Sequence, residues 1–321
     1  MKTFTIFIPD SPFARILLIV SFFVFAACFA PVIGSLFLLF LPLPLLFYSG
    51  TSGKIKATVA FLIPLLVTFL ISYFLQIKTI SPLILIMGIV GLAMSAIALK
   101  NRSIEKTLIY PALIIIGVIF TYFLYTGWQL TVNPWHVVSQ FVTQMIEQNI
   151  DFYSQLPLDK EDINFLKNNK QPLINFFVAI FPALVVTGSA VIIWINILIG
   201  RNILRKAGIN LSQLENLAHW SAPDFIIWIF LAAGGLLLIP HEQIRFFGLN
   251  LLIVICFIYL LQGLAIISFI FQNKNVPLFF RFLLYFLIAV QQFLMIPIVA
   301  LGLFDIWVDF RRFFQPGQTA A

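Results

Sequence analysis

Charge is what this sequence has least of. Asp, Glu, Lys and Arg make up 10% of its 321 residues and hydrophobic residues 61%, whereas an ordinary soluble domain is about a quarter charged and about half apolar. That balance excludes a water-soluble globular protein. Cysteine is nearly absent: Cys28 and Cys256 both sit in apolar segments, where thiols act as small hydrophobes, so neither a disulfide framework nor a redox compartment follows. Histidine is as sparse. His136, His219 and His241 fall in three different connections, without the i+3 or i+4 partner of a helical metal site. The sequence has no phosphate-binding glycine loop, no GxSxG and no strand-length alternation of the kind a membrane barrel needs. The expectation is a non-enzyme without cofactor or metal.

Long apolar runs are what the sequence has instead. "SPLILIMGIVGLAMSAIAL" and "GLNLLIVICFIYLLQGLAIISFIF" each supply the ~20 residues that cross a hydrocarbon core of ~30 Å. The fold class is therefore an all-α polytopic bundle of eight to nine spans, some of them broken by proline. Residues 13–48 are too long for one crossing and read as two, with a turn at "APVIGS" and an irregular second span containing Pro42 and Pro44. Later spans are expected at 57–76, 80–99, 107–127, 171–200, 222–240, 248–271 and 277–306. "FVFAAC" faintly resembles a lipoprotein cleavage box, but Phe25 stands where a smaller aliphatic residue is preferred, so the first span reads as retained.

A formal charge of +7 and a pI near 9.5 would suit nucleic acid, yet the basic residues gather in short stretches between apolar runs, as the positive-inside rule requires. No nucleic-acid partner is expected. With nine spans and the amino end inside, twelve of the 19 Lys and Arg lie inside and seven outside, Arg311 and Arg312 among the outer ones. Eight spans with both ends inside is the rival. The chain divides into an amino-terminal bundle (1–127), an extracytoplasmic amphipathic connection (128–170) and a carboxyl-terminal bundle (171–321), in a bacterial inner membrane. Within the connection, Asn133–Pro134 is an N-cap with proline at the first helical position, and Val138, Phe141, Val142, Met145, Ile146 and Phe152 follow helical spacing.

Polar residues inside spans need a partner or a cavity. Gln262, Gln291 and Gln292 are at depths that allow one shared pocket and are the candidate ligand-binding residues; the alternative is glutamine as interhelical glue. Asp305 joins them. It lies in "GLFDIWVDFRRFF", where Asp305, Asp309 and Arg312 fall on one helical stripe and Trp307 suits an interfacial anchor. On a straight last span Asp305 cannot reach Arg281, about 36 Å away. Arg281 would then snorkel to lipid phosphate, and Asp305 must be hydrated, protonated or paired with another span.

The segments "NILIGRNILRKAG", "HWSAPD", "LQGLAIISF" and "LGLFDIWVDFRR" resemble, in that order, the YybS-like family of bacterial multi-pass membrane proteins. The amino half, with its proline-rich second span followed by "YSGTSGKIKATVAFLIPLL", is similar to the substrate-binding membrane subunits of energy-coupling-factor transporters. That second resemblance implies a solute-capturing bundle without its own ATPase. The expected function is thus a transporter-like component that binds a small solute or lipid among its helices. The alternative is a non-catalytic scaffold recruiting a protein partner through 201–220 or 128–170. The lipid bilayer is a partner in either case.

Overall fold

The computed structural model describes residues 11–30, 33–76, 80–100, 102–156, 160–211 and 217–314. Among them are thirteen α-helices and no strand. In chain order they are α1 (Pro12–Phe29), α2 (Gly34–Phe40), α3 (Pro42–Ser52), α4 (Lys54–Leu75), α5 (Ser81–Ala98), α6 (Ile104–Leu130), α7 (Pro134–Ser154), α8 (Lys160–Asn168), α9 (Lys170–Lys206), α10 (Ile226–Leu238), α11 (Glu242–Asn273), α12 (Leu278–Val290) and α13 (Met295–Val308). Six of these are long and apolar enough to cross a membrane. Counting the bent pairs α2 with α3 (40°) and α12 with the segment Gln292–Val308 (107°) as single spans gives eight.

Proline and glycine explain most of the boundaries. Ser11 caps α1 by accepting from Ala14 N, with Pro12 in the first turn. Asn133 does the same for α7 by accepting from Trp135 N, with Pro134 at its start. Pro42 lacks the N–H that would continue α2, so the chain bends at Leu41 and restarts as α3. Gly53, at φ +94°, lets α4 begin directly after α3, a conformation that a side chain would strain. Pro64 and Pro182 lie inside continuous helices, α4 and α9. Pro297 sits in the first turn of α13, where its missing N–H would have had no helical partner.

Two expected spans differ from the structure. The span read at 222–240 is the 13-residue helix α10, about 20 Å long and too short for a ~30 Å core. Proline bounds it at both ends, since Ala222 precedes Pro223 and Ile239, which is extended, precedes Pro240. The span read at 277–306 is two helices meeting at 107°, because Gln291 leaves helical geometry (φ −99°, ψ 94°).

Contacts divide the chain into two compact units, Met1–Leu124 with Gly188–Glu215 and Tyr125–Thr187 with Asn216–Ala321. The first is built on a core of Val20, Val24, Leu45, Phe61, Val90, Met94, Ile193 and Ile197, contributed by α1, α3, α4, α5 and the second half of α9. On α5, Gly88 lies under the Phe61 ring and Gly91 against Pro42 Cα, the close packing that its small-residue stripe implies. In the second unit α10 and α13 pack on α11 around Tyr259, Ala233, Ile255 and Ile226.

Candidate functional site

Three stretches of irregular or proline-loosened backbone are each supported by a side-chain amide. In the first unit, Asn196 on α9 is 1% exposed and its Nδ2 donates to Leu39 O (2.9 Å), at the bend between α2 and α3, and to Ile192 O (2.8 Å). Its Oδ1 has no hydrogen-bond partner among the described residues. In the second unit, Asn250 on α11 inserts into the turn of α9 around Pro182: Oδ1 accepts from Ala183 N (2.8 Å) and Nδ2 donates to Ala179 O (2.8 Å). Those are the two groups that one regular helical bond would have joined, so the amide stands in for a turn loosened by proline.

The third repair is the largest. Gln262, 2% exposed, lies 11 residues before the end of α11, roughly 16 Å along the helix and so far from either edge of a ~30 Å core. Its Oε1 accepts from Ala222 N (3.1 Å), in the non-helical stretch that leads to α10, and its Nε2 donates to Asp305 Oδ2 (3.1 Å). Asp305 is 8% exposed and accepts two further bonds, from Phe310 N at Oδ1 (3.0 Å) and from Arg311 Nη1 at Oδ2 (2.8 Å). The Arg311 guanidinium then reaches Ala218 O through Nε (3.2 Å) and Trp220 O through Nη2 (2.7 Å). Every side-chain nitrogen and oxygen of Gln262, Asp305 and Arg311 therefore has a partner. Together they hold residues 218–222, the end of a single 3-10 turn (Leu217–His219) and the non-helical stretch after it, which hydrocarbon tolerates only where protein satisfies the backbone. One turn before Gln262, the Tyr259 hydroxyl is buried and unpartnered.

Glycine makes this geometry accessible. A Cβ on Gly263 would lie 2.1 Å from Ile298 O, and one on Gly302 would lie 2.1 Å from Tyr259 O, so α11 and α13 touch backbone to backbone. The contacts 259 with 302, 262 with 305 and 273 with 314 follow in the same order along both segments, so α13 and the residues after it run toward the same end as α11. After α13, Asp309 adopts a left-handed conformation (φ 45°), its N bonds Asp305 O, and the chain reverses. Phe314 O then accepts from Asn273 Nδ2 (3.2 Å), and Lys274 Nζ lies 5.9 Å from the Phe314 ring. The segment 278–314 thus returns to the end of α11 from which it set out.

This return changes several expectations. Asp305 and Arg281 are not on one straight helix, and each has a nearby partner: Asp305 the ion pair with Arg311, and Arg281 the carbonyls of Phe271 (2.9 Å) and Val276 (2.8 Å). Arg281 caps the last turn of α11 and does not extend alone to lipid. The helical stripe of Asp305, Asp309 and Arg312 does not form, because the helix ends at Val308. Arg311 and Arg312 do not lie at the opposite end of a crossing from Lys274.

Of the candidate ligand residues, Gln262 and Asp305 are bonded to each other. Gln291 and Gln292 are exposed at the break between α12 and α13, and no side-chain hydrogen bond joins them to that pair. Sequence reasoning missed Asn196 and Asn250. Both are amides inside apolar runs that also contain or face a proline break, which was the available signal. Among the described residues no three His, Cys, Asp or Glu converge on a metal-sized site.

The chain belongs to the family described as "Predicted membrane protein (DUF2232)", whose model matches residues 18–306. No curated protein and no solved structure matches it.

Proposed function

We propose that this multi-pass membrane protein is a transporter-like component that binds a small solute or lipid within its first unit, at the bend between α2 and α3, and has no ATPase or catalysis of its own. One observation carries the reading: Asn196 is buried beside a carbonyl freed by the bend, yet its Oδ1 lacks a donor. A buried acceptor left open costs about 1–3 kcal/mol, and helices broken at membrane depth are a recurring way for transporters to present polar groups to a solute. The occupant would supply an N–H or O–H. The resemblance of the amino half to energy-coupling-factor binding subunits supports the same reading, and that of most of the chain to the YybS-like family of bacterial membrane proteins supports a bacterial inner membrane.

The test is native mass spectrometry of gently purified full-length protein. The expected result is a reproducible small-molecule adduct that Asn196→Leu removes while the melting temperature stays within a few degrees. An adduct that persists in Asn196→Leu contradicts the assignment. The scaffold reading draws on the rigidly held backbone 218–222. A stoichiometric protein partner without a ligand would favour it.

A further inference from the structure

Away from the helix breaks, the first unit has a basic cleft of about 320 Å³ where α5 ends and α6 begins, lined by Ala96, Ile97, Lys100, Arg102, Lys106 and Tyr110. Lys100, Arg102 and Lys106 are exposed and form no ion pair or hydrogen bond with any described residue through their side chains. Three cations on one small cleft repel one another unless an anion joins them. Positive charge at span ends satisfies topology wherever it falls; topology alone does not require it to converge on a concave site.

We propose that this cleft binds the phosphodiester headgroup of an anionic phospholipid. The order of its walls is the argument for a lipid over a free anion. Lys100, Arg102 and Lys106 lie where α5 ends and α6 begins; Tyr110 follows one turn, about 6 Å, further along α6, where a phenol can meet a glycerol ester; Ala96 and Ile97 lie one turn back along α5. The same face of α6 continues with Ile109 and Leu113, 51% and 53% exposed, as a surface for an acyl chain. Basic pockets at the ends of neighbouring spans recognise anionic headgroups in this way. The inference is independent of the Asn196 reading, because the two sites share no residue.

The experiment uses the full chain in detergent, titrated with phosphatidylglycerol or phosphatidylcholine and read by native mass spectrometry. The natural chain should retain one phosphatidylglycerol in preference to phosphatidylcholine. The triple variant Lys100→Gln, Arg102→Gln, Lys106→Gln should bind that lipid about 100-fold more weakly, whereas Lys54→Gln with Lys56→Gln should leave it in place. Should the triple variant fail to fold, Tyr110→Phe provides the milder test, with a weakening of about two- to fivefold. Unchanged retention in the folded triple or in Tyr110→Phe overturns the proposal. Equal loss in the Lys54/Lys56 control also overturns it, by reducing the effect to overall charge. Displacement of the lipid by millimolar inorganic phosphate assigns the cleft to a free anion and overturns the lipid reading.

Discussion

The bend at Leu41 and the clamp at Gln262 are both helix breaks repaired by a buried amide, yet they are finished differently. At the clamp, Gln262, Asp305 and Arg311 leave no side-chain polar atom without a partner. At the bend, Asn196 spends both its hydrogen bonds as a donor and keeps its acceptor open. A network with a partner on every polar atom fixes a backbone, whereas an acceptor without a donor among the described residues leaves one bond unmade. Two polar centres of similar burial thus differ in what they leave unpaired, and it is this difference that the proposed binding role of the first unit rests on.

The largest expected effect comes from breaking the clamp's ion pair. Asp305→Ala or Arg311→Ala leaves a buried charge uncompensated and should cost about 3–5 kcal/mol, seen as a marked drop in melting temperature in detergent. Because Arg311 also holds the carbonyls of Ala218 and Trp220, the double change Asp305→Leu with Arg311→Met should recover only part of that loss. Next comes Gly302→Val. Its side chain would enter space occupied by the Tyr259 carbonyl, and overpacking of this kind costs about 1–3 kcal/mol, read as a lower melting temperature in detergent. Gln262→Leu strands Ala222 N and weakens Asp305, for a loss of about 1–3 kcal/mol by thermal unfolding. Gln291→Leu with Gln292→Leu should change stability by less than about 0.5 kcal/mol, since both are exposed and form no side-chain hydrogen bond with any described residue. A large loss there would mean that the 107° break has polar support like the other two.

Much of the fold was legible in the sequence. Apolar run length located the membrane helices, and Asn133–Pro134 located the start of α7, because those signals are local. The irregular span at 33–48 was also readable, since Pro42 removes a specific donor. What could not be read was where chain breaks are completed by distant side chains. Gln262 and Asp305 both stood out as polar groups in apolar runs, but their meeting depends on the 107° turn at Gln291, which brings α13 back across α11. Nothing in "LIAVQQFLMIP" distinguishes a 107° turn from a straight span. Arg311 looked like a helix-end anchor because its real partners are main-chain carbonyls some 91 to 93 residues away. Asn196 and Asn250 were missed for the same reason: each answers a break on another segment.

The contrast between the two amides is tested most directly by comparing Asn196→Leu with Gln262→Leu in the full-length protein, following melting temperature and small-molecule occupancy by native mass spectrometry on the same samples. The account predicts that Asn196→Leu loses the adduct and keeps the fold, and that Gln262→Leu keeps the adduct at temperatures below its lowered melting point. Retention of the adduct in Asn196→Leu, or its loss from folded Gln262→Leu, would contradict it.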